Sequence, residues 1–131
     1  MQTDTQKSET LAALDSMRLL ADSPTLLHVL KFAARMESKL AKNRHKGDRA
    51  GWLKDHPWDL VERVLDETVE LQQCFGGEGM VYDGESVADE CADTANFCMM
   101  VADVVTADEK ERIAIVKSAN AGADAPATKT P

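Results

Sequence analysis

The sequence predicts an all-α protein, a bundle of amphipathic helices, on three observations. Apolar residues recur at intervals of three and four rather than two. Proline follows a capping residue at Ser23-Pro24 and His56-Pro57, where helices open. Alternating β-branched runs are missing. With 131 residues the chain has room for one domain and one modest core, so self-association would add useful burial.

Residues 1–8 are polar and are expected to be flexible. A first helix is predicted from about Glu9 to Ala21. The second opens at Ser23-Pro24 and runs to about Asn43, with Leu26, Leu27, Leu30, Ala33, Ala34 and Leu40 at helical spacing. A loop holding Gly47 and Gly51 follows and carries the basic run KNRHKGDR. The third helix starts near Pro57, capped by Asp55 or His56, and continues to about Gln73. Its core face is Leu60, Val61, Val64, Leu65, Thr68 and Leu71. The glycine-rich segment GGEGMVYDG breaks the chain, and a fourth helix spans about Glu85 to Val105, apolar over most of its circumference. ERIAIVKSA adds a short final helix. The folded domain is thus 9–118, and 119–131, small, Pro-containing and without hydrophobic anchors, is expected to be a disordered tail.

Net charge is −8, which argues against a general nucleic-acid binder, since phosphate backbones need a broad cationic surface. A regulator reading DNA through KNRHKGDR is disfavoured by the same charge and by the lack of a helix-turn-helix pattern. No apolar run reaches membrane-spanning length, and MQTDTQKSET has no signal-peptide pattern, so a cytoplasmic protein is expected. The 3 cysteines fit small core residues in a reducing compartment, with Cys91 and Cys98 on one helix face. His28, His45 and His56 make no metal-binding spacing, and the 6 methionines fill core or an oligomer interface.

The chemistry lies in two acidic pairs. Glu67-x-x-Glu70 on the third helix and Glu90-x-x-Asp93 on the fourth each place two carboxylates on one helix face. A lone E-x-x-E is ordinarily a solvated surface. Here Glu67 interrupts the apolar row Leu60, Val64, Leu71, and Glu90 begins the row Phe97, Val101, Val104. A charge at the edge of a core is costly unless paired, and two acidic pairs on neighbouring helices repel. A divalent cation resolves both problems, and hard carboxylate oxygens suit Mg²⁺ or Mn²⁺.

The pattern Glu67-Thr-Val-Glu70, a linker, then Glu90-Cys-Ala-Asp93 with Asn96 one turn on, resembles the MazG-like all-α nucleoside triphosphate pyrophosphohydrolases. The stretch KFAARMESKLAKNRHKGDRAGW is similar to their short phage and prophage members, so the likeness covers roughly Leu26 to Val105. The resemblance implies a four-helix bundle, a homodimer or homotetramer, Mg²⁺ that Mn²⁺ can replace, and a nucleoside triphosphate cleaved between its α and β phosphates. Glu67, Glu70, Glu90 and Asp93 would be the metal ligands. Glu67 or Glu70 would orient or deprotonate the attacking water. Asn96 would donate to a phosphate or the sugar, although a surface Asn is the plain alternative. Lys39, Lys42 and Lys46, with Arg44 and Arg49 near, would hold the outer phosphates, against the alternative of cations at a helix C-terminus. Glu37 is a further ligand candidate. Trp52 is the better base-stacking candidate, with a core role the plainer one, and Trp58 is expected in the core. The resemblance leans to purines such as dGTP and GTP; pyrimidine deoxynucleotides or a broad set are alternatives. A non-catalytic helical interaction module is the alternative of a different class.

Overall fold

The computed structural model describes residues 2–76, 79 and 81–123. These are helical throughout their regular elements, with no strand among them. Gly77, Glu78 and Met80 of the glycine-rich linker, and the 124–131 part of the expected tail, lie outside the described residues. Two compact units divide between Ala34 and Arg35.

The first unit holds α1, Asp4–Arg18, and the opening turns of α2, Leu26–Lys42. Helix α1 begins earlier than the expected Glu9 because Thr3 and Gln6 form a capping box. Thr3 Oγ1 accepts from the Gln6 amide at 3.2 Å, and the Thr3 amide donates to Gln6 Oε1 at 2.9 Å. Two amides that the helix itself leaves unpaired are thereby satisfied, worth about 1 kcal/mol. Ser23, Pro24 and Thr25 form a turn leading into α2 rather than its first residues. The Thr25 carbonyl takes the first helical bonds, from His28 and Val29 at 3.1 Å each. The apolar spacing expected of α2 is present, but the helix has no fully buried residue.

The second unit starts with the last turns of α2. A 3-10 turn, Arg44–Lys46, ends at Gly47, whose φ of +131° only glycine adopts without strain. Asp48 then caps the short α3, Arg49–Trp52, by accepting from the Ala50 amide at 3.2 Å. The sequence predicts loop here, because a helix of 4 residues is too short to carry an apolar period. Helix α4, Pro57–Gln73, has His56 as its cap, Nδ1 accepting from the Trp58 amide, and Pro57 at its first turn. Helix α5, Gly84–Thr106, opens on Asp83, which accepts from both the amide and the hydroxyl of Ser86. Helix α6, Glu109–Ala123, is longer than expected and includes residues 119–123, assigned by the sequence to the tail.

Helices α4 and α5 run antiparallel: Leu60 shares a cluster with Val104, Arg63 lies over the Phe97 ring, and Glu67 meets Asp93. Ala92 is fully buried on α5. Leu53, Leu60 and Val104 form the core, and Trp52, Phe97, Met100, Ile115 and Val116 pack on it. Truncating Leu60 to Ala would cost on the order of 2–4 kcal/mol.

Two expected core positions on α4 lie outside this core: Trp58 is 63% exposed and Leu65 61%, and Val69 beside them is 51% exposed. Spaced by seven and four, they share the face of α4 opposite Leu60, Val64 and Leu71. The helix therefore has two apolar faces, and only one meets α5. Cys98 is likewise exposed rather than core.

Candidate functional site

The antiparallel register of α4 and α5 brings the two acidic pairs together. One carboxylate oxygen each from Glu67, Glu90 and Asp93 lies within 4.8 Å of the others. Glu70 is exposed one turn along α4 and stands outside that close set, although its charge acts on both Glu67 and Glu90. Burial pushes the Glu67 carboxyl above its ordinary value, and the charges of Glu70, Asp93 and Glu90 push it further. Glu90 is raised for the same reason, burial first and then Asp93 and Glu70, with Lys39 opposing. Glu90 Oε2 is buried without a hydrogen-bond partner. Three mutually repelling carboxylates with an orphaned oxygen are an unfavourable arrangement that a hard cation would relieve. The residues fit such an ion.

Helix α2 brings cations to the same place. Lys39 Nζ lies 2.9 Å from Asp93 Oδ2, both side chains mostly buried. One turn back, Arg35 spans Asp89 at 2.9 Å and Glu85 at 3.0 Å. The two residues, four apart on α2, thus meet acids spaced by four along α5, which ties the end of α2 to α5 by a ladder of charges. Asn96 completes the attachment. Its Nδ2 donates to the Met36 carbonyl at 3.1 Å, and it is only 4% exposed. Its Oδ1 is buried with no partner.

Beside the carboxylates lies a cavity of about 550 Å³, a size that accommodates a small-molecule ligand. Glu67, Glu70, Asp93 and Asn96 line it. Lys39, Lys46 and Arg63 line it too, as do Trp52 and Phe97. Of the cations expected to gather here, Lys39 and Lys46 do so. Lys42 and Arg44 are not on the wall, and Arg44 instead pairs with Glu37 at 2.8 Å, which also takes Glu37 away from the acidic cluster. Arg63 is an addition. Its guanidinium sits 5.2 Å from the centre of the Phe97 ring, and its charge opposes the rise of the Glu67 carboxyl.

Trp52 plays two parts. Its ring packs on the core and faces the cavity, while its indole Nε1 donates to Asp103 Oδ2 at 2.7 Å. Asp103 also receives both forks of Arg49, at 2.8 and 2.9 Å, and Arg49 reaches Glu111 of α6 at 2.8 Å. The Arg49 guanidinium holds the Asp103 carboxyl below the usual carboxylate range, with the indole adding to the effect. Arg49 is thus a structural cation that fixes α3 to α5 and α6 and, through Asp103, positions Trp52. Nothing in local spacing identifies a pair 54 residues apart.

No family model matches the chain, and no curated protein or solved structure matches it either.

Proposed function

We propose that this chain is a metal-dependent nucleoside triphosphate pyrophosphohydrolase, a four-helix member of the MazG-like all-α type that yields a nucleoside monophosphate and pyrophosphate. The observation that carries the reading is the approach of Glu67, Glu90 and Asp93 within 4.8 Å, from two antiparallel helices, beside a cavity that cations also line. Mg²⁺, with Mn²⁺ able to replace it, matches this all-oxygen donor set and would supply charge neutralisation and water activation.

The residues divide the work. Glu67, Glu90 and Asp93 would hold the ion. Glu70 lines the cavity outside the close set, which leaves it to orient the attacking water and accept its proton. Lys39, Lys46 and Arg63 would bind the phosphate chain and stabilise pyrophosphate as it leaves. Trp52, locked by Asp103, presents a ring for stacking at the wall. Asn96 spends its donor on Met36, so it would serve the site by holding α2 rather than by touching substrate. The lean towards purines such as dGTP and GTP rests on the motif resemblance alone, with pyrimidine or broad specificity as alternatives. A cytoplasmic location would suit the free cysteines.

The outward apolar face of α4 supports a homodimer or homotetramer, because Trp58, Leu65 and Val69 would otherwise remain wetted. The same face also favours the second reading, a non-catalytic helical interaction module. One panel separates the two. The purified protein is incubated with each common NTP and dNTP, with Mg²⁺ and with chelator, and products are resolved by phosphorus NMR. Monophosphate plus pyrophosphate, lost with chelator and in Glu67→Ala, is expected. No turnover of any nucleotide by folded, metal-supplied protein would favour the interaction module.

A further inference from the structure

The Lys39–Asp93 contact has a consequence for how the site fills. Asp93 belongs to the close carboxylate set, yet one of its oxygens is already taken by Lys39 Nζ at 2.9 Å. That ammonium is the nearest internal counter-charge of the cluster: its attraction extends to Glu90 and Asp89 as well as Asp93. A second cation cannot share Asp93 at close range with an ammonium without strong repulsion. Lys39 also lines the cavity, so an ammonium freed from Asp93 has open space beside it in which to turn. The helix that carries Lys39 need not move, because Arg35 keeps its grip on Glu85 and Asp89, and Asn96 its bond to Met36. A second observation lies at the same place: Asn96, only 4% exposed, lines the cavity, and while its Nδ2 holds Met36 its Oδ1 has no hydrogen-bond partner.

We infer that Lys39 is an exchangeable counter-ion: it neutralises Asp93 until the carboxylates take up a divalent cation, and its released ammonium then binds the phosphate chain of the nucleotide. The inference rests on the proposed metal-dependent function and deepens it by setting an order, cation first and phosphate second, with one side chain coupling the two. No bond to carbon or phosphorus changes in the exchange; one ion pair is traded for another.

The coupling gives opposite signs for two ligands. Lys39→Met keeps the aliphatic stem and removes the charge. It is expected to bind Mn²⁺ more tightly than wild type by on the order of tenfold, the effect of removing one positive charge near a divalent ion. The same variant, held in saturating Mg²⁺, is expected to bind inorganic pyrophosphate at least several-fold more weakly, and Lys39→Arg is expected to restore much of that loss. Both affinities are read by calorimetry. Equal or weaker Mn²⁺ binding by Lys39→Met overturns the exchange, because Lys39 would then only orient Asp93. If wild-type protein of normal helicity binds no Mn²⁺ at all, the metal reading itself fails and the exchange with it. Should Lys39→Met not fold, wild type suffices: acylation of Lys39, mapped by mass spectrometry, is expected to rise with Mg²⁺ and fall again when pyrophosphate is added. Reactivity unchanged by Mg²⁺ overturns the inference.

Discussion

Trp52 Nε1 donates to Asp103 Oδ2 at 2.7 Å, and Arg49 donates to both oxygens of the same carboxylate. One acid on α5 therefore holds both the aromatic wall of the cavity and the guanidinium that reaches α6. Asp103→Asn leaves the partly buried Arg49 with Glu111 as its counter-charge and weakens the bonds to Arg49 and Trp52. We expect a loss of about 1–3 kcal/mol in urea unfolding, since charge-assisted hydrogen bonds are replaced by neutral ones.

The same pair sets an acid dependence. Arg49 depresses the Asp103 carboxyl in the folded protein, so its contribution is fully present above the unfolded value of about 3.9. It disappears as the pH falls through the lower folded value. The stability difference between wild type and Asp103→Asn is expected to stay level from about pH 5 to 8 and to shrink below about pH 4. A difference that instead grows in acid would show that the carboxylate is not held ionised by Arg49.

Metal binding is expected to be visible as stability. An ion that binds only the folded chain adds about 2.7 kcal/mol at a concentration one hundred times its Kd. Mg²⁺ and Mn²⁺ should therefore raise Tm, and Glu90→Gln should abolish most of the rise, since Glu90 carries the unpartnered oxygen. An unchanged melting curve at millimolar metal would count against the carboxylates as a site.

Asn96 separates support from substrate contact. Its donor is committed to Met36, so Asn96→Leu removes the side-chain bond that joins α5 to α2 and is expected to cost about 1 kcal/mol of stability. A selective rise in KM with stability intact would instead return Asn96 to the substrate.

Leu65→Glu places a charge in the outward face of α4. Light scattering is expected to find wild type at twice the chain mass or more, and the variant dissociated with its helicity preserved.

How much of this was legible in the sequence follows from the range of each interaction. Helix α4 was read from Pro57 to Gln73, as found, because Pro at the first turn and the apolar period are local signals. Helix α5 differs by one residue at each end. The start of α1 is equally local: the Thr3-x-x-Gln6 box sets it, whereas the polarity of residues 1–8 points to a flexible segment. The acidic pairs were legible because carboxylates that interrupt apolar rows point to their own partner. Trp58 and Leu65 were misplaced for a physical reason: periodicity reports that a face is apolar, and α4 has two such faces, only one of which meets α5. The pairing of Arg49 with Asp103 and of Lys39 with Asp93 depends on how separate helices come together, which spacing along one helix does not encode.

The central claim is attack of water at the α-phosphorus under carboxylate control. Turnover of dGTP in ¹⁸O-labelled water, with Mg²⁺ and mass analysis of both products, tests it most directly. The label is expected in the nucleoside monophosphate, with unlabelled pyrophosphate and no reaction by Glu67→Ala. Label in pyrophosphate or orthophosphate, or equal turnover by Glu67→Ala, would contradict it.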